Sequence, residues 1–158
     1  SCPKRRSSDI PMMLKSFFHT GFVVKDLGKS VDFYANVLGM RVAARIEREG
    51  EFINQVLAFP DAHIKGAFVD KGEGHQLELI QYINPASGPG GIARNDLGAT
   101  HLAFYVEDMD KFYEETKDRG LRFNNPPASL ADEQGNLQRK ALYAQDPDGN
   151  WLEFVEIF

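Results

Sequence analysis

Only one cysteine, Cys2, occurs in the 158 residues, so no internal disulfide can form and the expected compartment is a reducing one, the cytoplasm. No apolar run approaches the roughly 18 residues that a membrane span requires, and no membrane insertion is expected. Positive charge is also in short supply. The 18 Lys and Arg residues are outnumbered by 23 Asp and Glu, leaving a net charge of −5. Binding to nucleic acid relies on basic side chains that displace counterions from phosphates, so that partner is not expected. The one basic cluster, Lys4-Arg5-Arg6, falls in a polar stretch over residues 1–15 that reads as a flexible, solvated tail. Ser1-Cys2-Pro3 shows neither an initiator Met nor the apolar stretch of a secretion signal. Also missing are a Ser/His/Asp arrangement, a Gly-rich phosphate loop and a Cys-rich metal knuckle. What remains, at 42% hydrophobic and 26% charged residues, has the composition of one soluble domain that can bury a core.

That domain, residues 16–158, says the same thing twice. The run His19-Thr20-Gly21-Phe22-Val23-Val24 returns as His101-Leu102-Ala103-Phe104-Tyr105-Val106, and Leu77-Glu78-Leu79-Ile80 returns as Leu152-Glu153-Phe154-Val155. After the first strand, Asp26 can cap an amphipathic helix carrying Val31, Phe33, Tyr34, Val37 and Leu38, closed by Gly39. Asp108 can cap a second, with Met109, Phe112, Tyr113 and Thr116, closed by Gly120. Strand-like segments follow in the first half at 41–45, 55–59, 65–69 and 76–82, and in the second at 122–124, 139–144 and 151–156. The turn formers from Asn84 to Gly91 open a linker, residues 84–97, between modules at about 16–83 and 98–158. Residues 51–62 read as an insertion-like loop that, with the linker, shapes the pocket mouth. The expected fold class is α+β: paired βαβββ modules whose mixed sheets curl around a cleft.

Strand parity says what lines the cleft. Side chains alternate faces, so Leu77 and Leu79 share the side that packs under a helix and Glu78 takes the other. By the same rule Glu153, His19 and His101 lie opposite their apolar neighbours, with Phe18, Phe22 and Val24 set against His19. A carboxylate enclosed in a cleft is costly unless it is paired or bound to a cation, whereas a divalent metal takes ionised carboxylates and neutral imidazoles. His19, Glu78, His101 and Glu153 are therefore the expected metal ligands. Phe17, Val23, Tyr82, Tyr105 and Trp151 fall on the same faces and form an aromatic wall suited to a small organic substrate. His63 and His75, in loop-like surroundings, read as surface histidines without partners.

These residues carry a resemblance to the vicinal oxygen chelate superfamily, the group of glyoxalases, bleomycin-resistance proteins and extradiol dioxygenases. The matching stretches are His19-Thr20, Val24-Lys25-Asp26-Leu27, Ser30-Val31-Asp32-Phe33-Tyr34, Val37-Leu38-Gly39-Met40, Leu77-Glu78-Leu79, Thr100-His101-Leu102-Ala103-Phe104 and Asp146-Pro147-Asp148-Gly149-Asn150-Trp151-Leu152-Glu153. The resemblance implies one divalent metal per site that stabilises an enediolate or enolate after proton abstraction next to a carbonyl. It places the four residues on the family's ligand positions, in the His/Glu/His/Glu set of short glyoxalase I enzymes that favour nickel or cobalt, with zinc, manganese or iron also used in the family. It implies that Glu153, with Glu78 as its opposite number, is both ligand and proton-shuttling base, and that the chain is a homodimer. Two positions depart from glyoxalase I. Val23 replaces an arginine and Tyr82 an asparagine, so the charge-assisted grip on a glutathione conjugate is missing there. A methylmalonyl-CoA epimerase-like racemase usually has Gln where this chain has Glu78. An extradiol dioxygenase uses only three protein ligands, and a non-catalytic drug- or metabolite-binding member generally lacks the set. The reading that follows from the resemblance is a metal-dependent lyase or isomerase acting on a small molecule.

Overall fold

A computed structural model describes residues 13–158, so Cys2, the basic cluster Lys4-Arg5-Arg6 and most of the 1–15 tail lie outside the described residues. The first half runs β1 (His19–Val23), α1 (Leu27–Asn36), β2 (Arg41–Glu49), α2 (Glu51–Leu57), β3 (His63–Asp70) and β4 (Gln76–Asn84). The second runs β5 (His101–Tyr105), α3 (Met109–Thr116), β6 (Arg122–Phe123), β7 (Ala128–Ala131), β8 (Leu137–Gln145) and β9 (Trp151–Ile157). Two open mixed sheets result, ordered β1-β4-β3-β2 and β5-β9-β8-β6, with β7 also paired to β8. The fold is α+β, built from two βαβββ-type units.

Both main helices start where a carboxylate can accept an orphan amide: Asp26 takes the Lys29 N–H and Asp108 the Lys111 N–H, each at 3.0 Å. Their apolar stripes then bury against the sheets. Phe22, Val24, Leu77, Leu79, Val31, Phe33 and Tyr34 join Met109, Leu142, Leu152 and Phe154 in one continuous core shared by both halves. The halves meet closely enough that a Cβ on Gly120 would stand 3.2 Å from the Phe33 ring, and Gly120 also needs its φ of +104° to end the second helical stretch. A polar lock crosses the same joint. Tyr34 donates to the wholly buried Asp146 carboxylate at 2.8 Å, which also accepts from the backbone N–H groups of Asp148 and Asn150 and from the Asn150 amide. Burial, then the neighbouring Asp146 charge, pushes the Tyr34 phenol well above its ordinary pKa.

Four local expectations differ from the structure. Residues 55–59 are not a strand, because the chain from Glu51 to Leu57 is helix α2, whose Ile53 buries against Ala62 and Ile64 and whose Gln55 amide donates to Glu51 at 2.7 Å, one turn away. The strand at 41–45 continues to Glu49 although its outer residues are charged and exposed. Strand β7 has no alternation to announce it, since all four of its residues are exposed. Phe18 precedes β1, escapes its parity and remains 73% exposed, resting on His19 and Phe68 instead of entering the core.

Candidate metal centre

The two halves set their imidazole and carboxylate by the same register. Parallel pairing puts Gly21 opposite Glu78 and Ala103 opposite Glu153, so each glutamate shares a face with the histidine two residues back on the neighbouring strand. Leu77 and Leu79, on the other face, are buried almost completely, and so are Leu152 and Phe154. The side chains meet as the register requires. His19 Nε2 lies 2.9 Å from Glu78 Oε2, and His101 Nε2 lies 3.2 Å from Glu153 Oε2. Two ligands each about 2.1 Å from one ion, and about 90–100° apart, stand roughly 3 Å from one another. Each pair therefore suits two adjacent coordination positions, and its nitrogen and oxygen donors suit a borderline divalent cation. In the first pair His19 Nδ1 is buried without a hydrogen-bond partner among the described residues, leaving that ring ready to be fixed by an added contact.

His19, Glu78, His101 and Glu153, the four expected ligands, do not converge within one chain. Among the described residues no group of three or more His, Cys, Asp or Glu comes together at metal-binding range. One copy of the chain presents two separate half-sites, the first largely enclosed, with Glu78 buried, and the second more open to solvent. The predicted wall is divided in the same way. Val23, Tyr82 and Trp151 line one groove of about 940 Å³ along the Gly- and Pro-rich linker. Tyr105, 85% exposed, borders a different hollow beside α3, and Phe17, 97% exposed, stands clear of both. His63 and His75 do have partners, Glu47 at 2.7 Å and Thr20 at 3.0 Å, and the His63 contact holds the Glu47 carboxyl below its usual range.

Two residues beside the second half-site were not foreseen. Tyr143 on β8 pairs in register with Glu153, as Phe68 on β3 pairs with Glu78. Each ring meets its histidine edge-on: Phe68 and His19 at 5.4 Å, Tyr143 and His101 at 5.1 Å. Only Tyr143 adds a hydroxyl, which donates to Glu153 at 3.2 Å and lies 3.3 Å from His101 Nε2. Burial first, then the Glu153 charge, raises the Tyr143 pKa. The signal was a shared spacing, since 78 − 68 and 153 − 143 both equal 10. Arg94, in the linker, places its guanidinium over the Tyr143 ring at 5.2 Å and the Trp151 ring at 5.0 Å, and nothing local in the sequence marks it.

Two mixed βαβββ-type sheets, each with a His–Glu pair on the face away from the shared core, define a vicinal-oxygen-chelate-type protein. The profile described as Glyoxalase/Bleomycin resistance protein/Dioxygenase superfamily matches residues 16–154, and the chain belongs to that family. It is 31% identical over 157 residues to a lactoylglutathione lyase of Pseudomonas aeruginosa, an alignment covering 89% of this chain and 81% of the relative. To the glyoxalase I of Saccharomyces cerevisiae it is 29% identical over 160 residues, covering 95% of this chain but only 47% of that protein, so the chain spans about half the length of the yeast relative. A glyoxalase family protein from Bacillus cereus shares the fold with a TM-score of 0.78 at 19% identity, over 92% of this chain and 95% of that one. No helix among the described residues is long and apolar enough to cross a membrane.

Proposed function

We propose that the chain is a metal-dependent lyase or isomerase that removes a proton next to a carbonyl, with His19 and Glu78 of one copy and His101 and Glu153 of a second copy closing around one divalent cation. The carrying observation is the pair of half-sites, each with an N–O separation near 3 Å, equivalent in register and held apart within one chain. Membership of the family and the likeness to lactoylglutathione lyases support the reaction class. A cation held there would polarise neighbouring substrate oxygens and favour the enolate.

The protein's own groups supply the rest. Glu153 accepts the substrate proton at its other carboxylate oxygen, while the Tyr143 hydroxyl, already donating to Oε2, holds the carboxylate in place. Glu78, 8% exposed and faced by Phe68 where the other half has Tyr143, lacks that donor. Glu153 is therefore the better placed base. Exchange of the carbon-bound proton of hydroxyacetone and small 2-keto acids in deuterium oxide, followed by NMR on metal-loaded protein, tests the role. Glu153→Gln should slow exchange by about 100-fold or more, and exchange at the wild-type rate in that variant would remove Glu153 from it.

A further inference from the structure

We infer that Arg94, held over Tyr143 and Trp151, is a carboxylate-binding residue, and that the substrate is a small organic acid whose vicinal oxygens reach the His101 half-site while its carboxylate meets the guanidinium. This rests on the metal-site reading above and goes further by naming the substrate's chemical class.

The linker is tied down on both sides of Arg94. The Trp151 indole N–H donates to the Ile92 carbonyl at 2.9 Å, and Asp96 accepts the Ala93 N–H at 2.8 Å, closing a turn whose other bonds run from the Asp96 N–H to the Ala93 carbonyl and from the Ala99 N–H to the Asp96 carbonyl. Between these anchors the guanidinium is carried over two aromatic faces, both within the roughly 6 Å at which a cation is attracted to a ring. A ring face takes no conventional hydrogen bond, so these contacts leave the guanidinium N–H groups available to an anion. Among the described residues no carboxylate lies within ion-pair distance of it. The nearest candidate in sequence, Asp96, is engaged with the backbone.

The cavity beneath, about 410 Å³, brings Arg94 together with Thr100, His101, Tyr143 and Trp151, and Arg94 is the one permanently charged group in its lining. A divalent ion held by two glutamates and two neutral histidines has no charge left over, so Arg94 leaves the filled site with one positive charge, which a monocarboxylate neutralises. Among the described residues the first half-site has no counterpart to Arg94. There Gln76 occupies the register position of Trp151, and its amide donates to Asp70. Anion recognition thus belongs to the His101 side alone. A planar fork suits a carboxylate in a way an ammonium does not.

Calorimetric titration of the metal-loaded full chain with two chelating probes tests this. One is acetohydroxamate, which has no carboxylate, and the other is the monohydroxamate of succinic acid, which adds one. The wild type should bind the carboxylated probe at least tenfold more tightly. Arg94→Gln should bring the ratio near one, and Arg94→Lys should leave it in between, with thermal unfolding confirming that both variants are folded. A ratio near one in the wild type, or a wild-type ratio that survives Arg94→Gln, overturns the inference while the metal site stands. If neither probe binds, the metal-site reading fails and takes the inference with it.

Discussion

Replacing Tyr34 by Phe removes one atom from the joint between the two halves. The lost hydroxyl donates at 2.8 Å to a carboxylate that is 0% exposed, and Asp146 keeps its other three donors but no water can take the vacant position without entering the core. A hydrogen bond to a buried charged group contributes about 1.5–3 kcal/mol, and for a domain of this size each kcal/mol moves Tm by about 2–4 °C. Urea and thermal unfolding of Tyr34→Phe should therefore show a loss of about 1.5–3 kcal/mol and about 3–12 °C near neutral pH. The pH dependence has a definite sign. Tyr34's folded pKa lies well above its ordinary value of 10.0, so the folded state keeps the proton when the unfolded chain begins to lose it. Its contribution is complete below pH 10 and declines as pH climbs from there toward the folded pKa, so the gap between wild type and variant should narrow in alkali. A loss under about 0.5 kcal/mol, or a gap that widens above pH 10, would refute the reasoning.

Tyr143→Phe makes the second half-site resemble the first, where Phe68 stands. Metal content and unfolding midpoint should hold while proton exchange slows by about tenfold or more, since one hydrogen bond to Glu153 is lost; an unchanged exchange rate would show the hydroxyl to be incidental. Leu79→Ala, at a site with 0% exposure beneath Glu78, should cost about 2–5 kcal/mol in urea unfolding, and a cost below about 1 kcal/mol would mean that the shared core is not what fixes β4.

Much of this arrangement was legible because it depends on local alternation. Parity alone set Leu77 and Leu79 against Glu78, and the repeat carried the same rule to Leu152, Glu153 and Phe154, where the structure buries the apolar face in the shared core and turns each glutamate toward its histidine. The two caps, Asp26 and Asp108, were legible for the same reason. What failed depends on distant contacts. Helix α2 owes its place to Ile53 packing on Ala62 and Ile64, and β7 exists only because β8 offers it an edge. Phe18 shows alternation being extended one residue past the strand that enforces it. Tyr143 sits in a segment read as strand, yet its role needs the register with Glu153, and Arg94 is positioned by a linker whose course no periodicity describes. The separation of the two half-sites was beyond parity altogether, because parity fixes faces and not which faces meet.

The central claim is that two copies of the chain share each metal ion. Elemental analysis tests it on three samples purified without chelator or metal-affinity steps: wild type, the single variant His101→Ala, and a co-expressed pair in which one chain carries His19→Ala with Glu78→Ala and the other His101→Ala with Glu153→Ala. The account predicts about one divalent ion per chain in the wild type, loss in His101→Ala, and recovery to about a quarter of the wild-type content in the co-expressed pair, because half of randomly formed dimers are mixed and each mixed dimer rebuilds one of its two sites. Metal in the wild type with none recovered in the pair would contradict sharing between copies, and no metal in any sample, even after addition, would contradict the metal site itself.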